Sequence, residues 1–90
     1  MARTLRNRAT NTLSRHARIR RSRILREAEG YLELGLAEHA LASLSELDDD
    51  LSTNSRGLYL QGEALRELKR YDEALDPLER AAEFPESLLR

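Results

Sequence analysis

The side chains of this 90-residue sequence that commonly do acid–base chemistry or bind metals are two histidines and several carboxylates. His16 and His39 stand far apart, neither has a second histidine beside it, and the chain contains no cysteine. A zinc site needs three or four such ligands grouped together. We therefore interpret both histidines as solvated surface side chains.

Two pairs of glutamates have helical spacing: Glu29 with Glu33, and Glu63 with Glu67. Residues four apart share one face of a helix, so each pair has the spacing to hold a metal ion or to share a proton. We favour the alternative that both pairs belong to a solvated helix face. The acidic run 48–50 lacks the alternating ligands and central glycine of a calcium-binding EF-hand loop. The sequence therefore predicts no metal site.

The other common signatures of catalysis are absent from the sequence. It has no glycine-rich phosphate-binding motif and no nucleophile elbow. We expect no enzyme activity and no cofactor. No apolar run approaches the roughly 18 residues of a membrane span, and the N-terminal stretch is not of the secretory type. We expect a cytoplasmic protein.

Charge divides the chain into two segments. Residues 1–26 hold nine arginines and no acid, whereas residues 27–90 hold six basic and sixteen acidic residues. We divide the chain into a basic arm, residues 1–22, and a helical domain, residues 23–90. Dense like charge opposes compact folding, but a faint helical stripe remains. It consists of Leu5, Ala9, Leu13 and Ala17. We expect the arm to be disordered or a solvated helix.

Apolar spacing after the arm predicts an all-α domain of four helices. Leucine and alanine dominate the composition and valine is absent, which favours helices over strands. Apolar residues recur three and four apart between turn and capping signals. The expected helices are about 23–34, 36–48, 54–69 and 71–84.

The four helices read as two copies of one hairpin, 34 residues apart. Identical pairs at this offset are Glu29/Glu63, Glu33/Glu67, Leu34/Leu68, Ala40/Ala74, Leu41/Leu75 and Leu44/Leu78. Ile24/Leu58 and Ala28/Gly62 are conservative pairs. Four of the six identities are apolar and lie at helical core spacing. Similar amino-acid composition in the two segments would not by itself produce this spacing.

A helix–turn–helix unit of 34 residues resembles the tetratricopeptide repeat. Gly62 stands where that family needs a small residue for close helix approach. Other matching positions of the second copy are Tyr71, Ala74, Leu78, Ala81 and, within one position, Pro85. The first copy is weaker, since Glu27 stands where leucine is usual. The resemblance implies a short right-handed α-solenoid with repeats at about 21–54 and 55–88.

In proteins of this family the first helix of each hairpin lines a groove that binds extended or helical peptides. The resemblance places eight residues there, which we call the groove set: Leu25, Glu29, Leu32, Glu33, Tyr59, Glu63, Arg66 and Glu67. Four glutamates favour a basic ligand, and tyrosine is enriched at interfaces. The function implied is a protein–protein interaction module that binds a peptide or partner helix. The alternative is that these side chains are simply solvated.

The basic arm has three interpretations. Four of its arginines and the adjoining Arg23 are dense enough to contact nucleic acid phosphates: Arg15, Arg18, Arg20, Arg21 and Arg23. This gives an alternative function, a nucleic-acid-associated protein with the repeats as docking module. The arm also resembles a mitochondrial presequence, which would place the protein in the mitochondrial matrix. In the third interpretation it is a solvated tail that pairs with an acidic surface.

Two structural expectations follow from the repeat. Gly62 and Ala74 should face each other in close contact across the second hairpin. The outer face of that hairpin should expose apolar surface, since about three repeats are usually needed for stability. The residues expected there are Leu75, Leu78, Ala82 and Phe84, with Leu88 and Leu89 beside them. We expect a partner protein or a second copy of the chain to cover this face.

Overall fold

The computed structural model describes residues 2–47, 51 and 54–84, with side chains from Arg15 onward. Four helices follow one another along the chain. They are α1 (Ala2–Glu33), α2 (Ala37–Leu44), α3 (Ser55–Glu67) and α4 (Tyr71–Ala82). The described part of the chain contains no strand, which confirms the predicted all-α class. The most extensive packing joins α1 to α2 and α3 to α4, and α3 also packs against α2 and α1.

Helix α1 begins at Ala2, about twenty residues before the predicted start of the first helix. No glycine or proline precedes Gly30, so nothing in the sequence breaks the helix between the arm and the domain. Helix α2 ends at Leu44, earlier than predicted, and a 3₁₀ turn continues over residues 45–47. The acidic run 48–50, Pro85, Leu88 and Leu89 lie outside the described residues.

The turns that close the two hairpins are equivalent in conformation as well as in sequence position. Gly35 and Lys69, 34 residues apart, both have positive φ, at 75° and 63°. In the first turn Leu36 N–H donates to Tyr31 O at 2.8 Å, and in the second Arg70 N–H donates to Leu65 O at 2.9 Å. This is the hydrogen-bond pattern that ends a helix with one left-handed residue. Short turns of this kind place the helices of each pair antiparallel.

Helix α3 begins at a side-chain cap. The Asn54 backbone is extended, and its Oδ1 accepts a hydrogen bond from the Gly57 N–H at 2.7 Å. That bond satisfies one of the amide groups left without a partner at a helix start. The cap fixes where the chain turns from the first hairpin into the second.

The core repeats with the same 34-residue offset. Ile24 and Leu58 are both fully buried, and so are Ala40 and Ala74. The buried members of the main cluster are Ile24, Leu25, Ala28, Ala37, Ala40, Leu44, Leu47, Leu60 and Ala64. Because Leu60 and Ala64 come from α3, the second hairpin completes the core of the first.

Candidate protein-binding surfaces

Two ion pairs organise the surface formed by α1 and α3, where the groove set was predicted. Glu29 of α1 pairs with Arg56 of α3 and so joins the first helices of the two hairpins. Glu63 pairs with Arg66 on α3, with 2.7 Å between Oε2 and Nη2. Both pairs are partly solvated, so each adds little stability. Two of the four glutamates are therefore already paired with arginines of α3, which leaves Glu33 and Glu67 to interact with a basic ligand.

The remaining members of the groove set differ in accessibility. Leu25 is only 8% exposed and belongs to the core cluster, so little of its side chain is accessible on this surface. Leu32 is half-buried against the same core. Glu33 and Glu67 are exposed at the last positions of α1 and α3, and Tyr59 is 53% exposed. The accessible surface is therefore acidic, with one tyrosine.

Some residues on the outer side of the second hairpin are far more exposed than their counterparts in the first hairpin. Leu25 is 8% exposed, whereas its counterpart Tyr59 is 53% exposed. Leu41 packs against the core, whereas its counterpart Leu75 is 58% exposed. The reason is that α3 covers the first hairpin, and no described residue covers the second in the same way.

We call this uncovered surface the end face. Its members are Tyr59, Tyr71, Leu75, Leu78 and Ala82. A depression of about 450 Å³ lies on it and is lined by Ser55, Arg56, Tyr59, Leu78, Ala81 and Ala82. Leu78 and Phe84, both predicted to be exposed here, are half-buried. The apolar side chains most accessible on α4 are Tyr71 and Leu75.

Gly62 makes a close helix contact in the second hairpin. A Cβ atom on Gly62 would lie within 2.5 Å of two Leu78 atoms, and its three nearest neighbours all belong to Leu78. Leu78 lies one turn after Ala74, the predicted partner, on the same side of α4.

The basic arm presents arginines to solvent. Arg15, Arg18 and Arg23 are exposed, and Arg21 is half-buried. Arg20, also exposed, donates from Nη2 to Glu46 O at 3.0 Å, which ties the arm to the turn after α2. The described part of the arm is therefore a continuous helix with a largely solvated, cationic surface.

A cleft of about 480 Å³ between α2, α3 and α4 was not predicted. Leucines and Pro77 form its floor, and two Arg–carboxylate pairs lie at its rim. The Arg70 guanidinium donates to Glu73 at 2.5 and 2.8 Å. This hydrogen bond lowers the pKa of Glu73 and raises the pKa of Arg70. The two side chains are about half exposed, at 48% and 56%, so water screens the pair.

The two histidines lie in different surroundings. The ring of His39 lies against Tyr31, with 5.4 Å between ring centroids, and His16 is exposed on α1. Within the described ranges no three His, Asp or Glu side chains group in a way that could hold a metal ion. Among the described helices, none is both long and apolar enough to cross a membrane.

The chain matches no protein-family model, no curated protein and no solved structure. The tetratricopeptide resemblance therefore rests on the residues and the internal repeat of this chain alone.

Proposed function

We propose that this chain is a protein–protein interaction module of tetratricopeptide type, built as a short α-solenoid of two hairpins. The observation that carries the proposal is that the two hairpins have equivalent turns and equivalent buried positions. Two turns with the same hydrogen bonds lie 34 residues apart, and so do the buried pairs Ile24/Leu58 and Ala40/Ala74. Stacked helical repeats of this kind serve as scaffolds for binding other chains.

The surface proposed to bind the partner is the accessible part of the groove set. Glu33 and Glu67 place two carboxylates at equivalent ends of α1 and α3, and Tyr59 supplies apolar contact area with a polar tip. Glu29 and Glu63 are already paired with arginines of α3. The ligand that fits is a peptide or helix with basic residues spaced to reach both helix ends.

Selection from a random peptide library on the full chain tests this proposal. Bound peptides should be enriched in arginine and lysine. They should lose affinity for a Glu33→Lys/Glu67→Lys variant, whose substitutions lie at exposed positions and leave the core intact. A matched control, Glu27→Lys/Glu46→Lys, changes the net charge equally at exposed positions outside the groove set. Peptides that bind all three proteins alike, or no enrichment, would contradict the proposal.

A second candidate function is association with nucleic acid through the basic arm. The exposure of Arg15, Arg18 and Arg23 on α1 favours it. If about five phosphates are contacted, the logarithm of the binding constant falls with the logarithm of salt concentration at a slope of about −4.5. A salt titration against single-stranded RNA and duplex DNA, with and without residues 1–22, measures this slope. No measurable binding at low salt removes the candidate.

A further inference from the structure

The end face has the pattern of a surface that receives a helix. Tyr71, Leu75, Leu78 and Ala82 follow one another at helical spacing along α4, and the depression of about 450 Å³ lies beside them. A second stripe runs along the adjacent side of the same helix. It contains four exposed carboxylates: Asp72, Asp76, Glu79 and Glu83. An apolar seam with an acidic border on α4 favours a helix whose own apolar seam has a basic border.

The first hairpin shows what covers the equivalent surface. There α3 packs against α1 and α2, and its residues Leu60 and Ala64, four apart, share a core cluster with Leu25. The cover is therefore a helix that presents apolar residues at a spacing of four. The counterparts of these two residues on α1 are Arg26 and Gly30, and Arg26 is exposed. Because Arg26 and Gly30 lack the apolar side chains of a cover, the α1 helix of a second copy does not fit the end face in the way that α3 fits the first hairpin.

Direct pairing of two end faces is also unfavourable. It would bring the acidic stripe of one α4 close to the same stripe of another. Asp76 forms an ion pair with Arg80, with 3.6 Å between Oδ2 and Nη1, and all four carboxylate residues are exposed. Like charges brought together at an interface oppose association.

The basic arm has the complementary pattern. Leu5, Ala9 and Leu13 follow one another at a spacing of four within α1. In the sequence, Arg6 and Arg8 stand next to members of this stripe, and Arg15 stands two residues after Leu13. The arm thus has apolar residues at the spacing of four that α3 uses to cover the first hairpin. It also has the positive charge that the acidic border of α4 attracts.

We propose that the basic arm of a second copy of this chain docks as a helix on the end face. Its leucines fill the depression beside Tyr59, and its arginines lie along the acidic stripe of α4. Two copies that exchange arms in this way close as a two-fold dimer. Tyr59 belongs to both the groove set and the end face, but the tests use different residues: Leu75 and the arm lie outside the groove set, and Glu33 and Glu67 lie outside the end face, so either proposal can fail alone.

The first test is the sedimentation of the full chain. A dimer is expected in roughly 50 mM salt and dissociation toward monomer in roughly 1 M salt, because screening weakens arm–stripe attraction. A dimer that is equally strong in high salt overturns the proposal, since an apolar pairing of end faces behaves that way. A monomer at every concentration in low salt overturns it too.

The second test mixes two variants that each lose one side of the contact. Leu75→Glu alters the end face at an exposed position, and Arg8→Glu/Arg15→Glu alters the arm. Each variant alone should sediment as a monomer with the helical circular dichroism of the parent. Their equimolar mixture should sediment with a higher average mass than either variant alone and a lower one than the parent, since one of the two exchanged contacts is intact. A mixture no heavier than the separate variants contradicts the exchange, as does either variant that dimerises like the parent.

Discussion

Gly62 of α3 lies directly against Leu78 of α4: a Cβ atom on Gly62 would stand 2.4 Å from Cγ and 2.5 Å from Cδ2 of Leu78. Cγ is held close to the α4 backbone, so the side chain cannot simply swing its tip away. The contact sets how closely the two helices of the second hairpin approach. It thereby also sets the shape of the depression on the end face, which Leu78 lines.

Gly62→Ala should destabilise the protein by about 1–3 kcal/mol, because overpacking outweighs the gain in helix propensity. Chemical denaturation measures the change. In a Leu78→Ala background the same substitution should cost clearly less, since the clashing side chain is gone. Gly30→Ala is the matched control: it also adds a Cβ within a helix, but into open space, and should stabilise by up to about 1 kcal/mol. Equal effects at Gly62 and Gly30 would refute the contact.

The two hairpin turns should respond oppositely to substitution. Lys69 holds a left-handed conformation that glycine adopts without strain, so Lys69→Gly should stabilise the protein by about 1 kcal/mol. Gly35→Ala places a Cβ on the equivalent residue and should destabilise by about the same amount. Thermal melts of both variants test this. A Lys69→Gly variant less stable than the parent would show that the second turn differs from the first.

The cap of α3 should be worth about 1 kcal/mol, the usual cost of replacing a capping asparagine by alanine. Asn54→Ala removes the acceptor for the Gly57 N–H, whereas Asn54→Asp keeps an oxygen there. Denaturation curves should therefore rank the parent and Asn54→Asp together, with Asn54→Ala below them. Three superimposable curves would mean that the cap contributes nothing.

The Arg70–Glu73 pair gives stability a small dependence on pH. The hydrogen bond from Arg70 lowers the pKa of Glu73 from its ordinary value of 4.5. A carboxyl with a lowered pKa stabilises the folded state above its ordinary value, and this stabilisation is lost as pH falls through the folded pKa. Glu73→Gln should therefore be less stable than the parent at neutral pH, and the difference should vanish in acid.

Glu79→Gln controls for the change in net charge, since it removes one exposed carboxylate of α4 and leaves the Arg70 pair in place. Added salt should shrink the effect of Glu73→Gln, because both partners are solvated. A difference from the parent that persists unchanged in acid would assign the effect to something other than the ion pair.

The elements of the fold were predictable because each has a local signal. Helical spacing, Gly35 and the polar residues before Ser55 placed the four helices within a few residues of their bounds, except at the start of α1 and the end of α2. The start of α1 differs from the prediction because the dense positive charge suggests a domain boundary near residue 23. The arm contains no helix-breaking residue, so the helix continues through it.

Contacts between helices were harder to predict. Periodicity assigned Gly62 to the correct face of α4, but the choice between Ala74 and Leu78 depends on how far one helix is displaced along the other. Leu25 was assigned to an open groove because nothing local reveals that α3 covers it. The cleft between α2, α3 and α4 was missed for the same reason, since three helices contribute its lining.

The central claim is that the second hairpin repeats the first with its outer surface uncovered, and thiol labelling tests it most directly. The chain has no cysteine, so Leu25→Cys and Tyr59→Cys each introduce a single reporter at equivalent positions. Labelling is measured in dilute protein and high salt, where copies do not associate. The account predicts rapid reaction of Tyr59→Cys, and reaction of Leu25→Cys slower by at least about tenfold, because only local or global unfolding exposes it. Equal labelling rates at the two positions would contradict it.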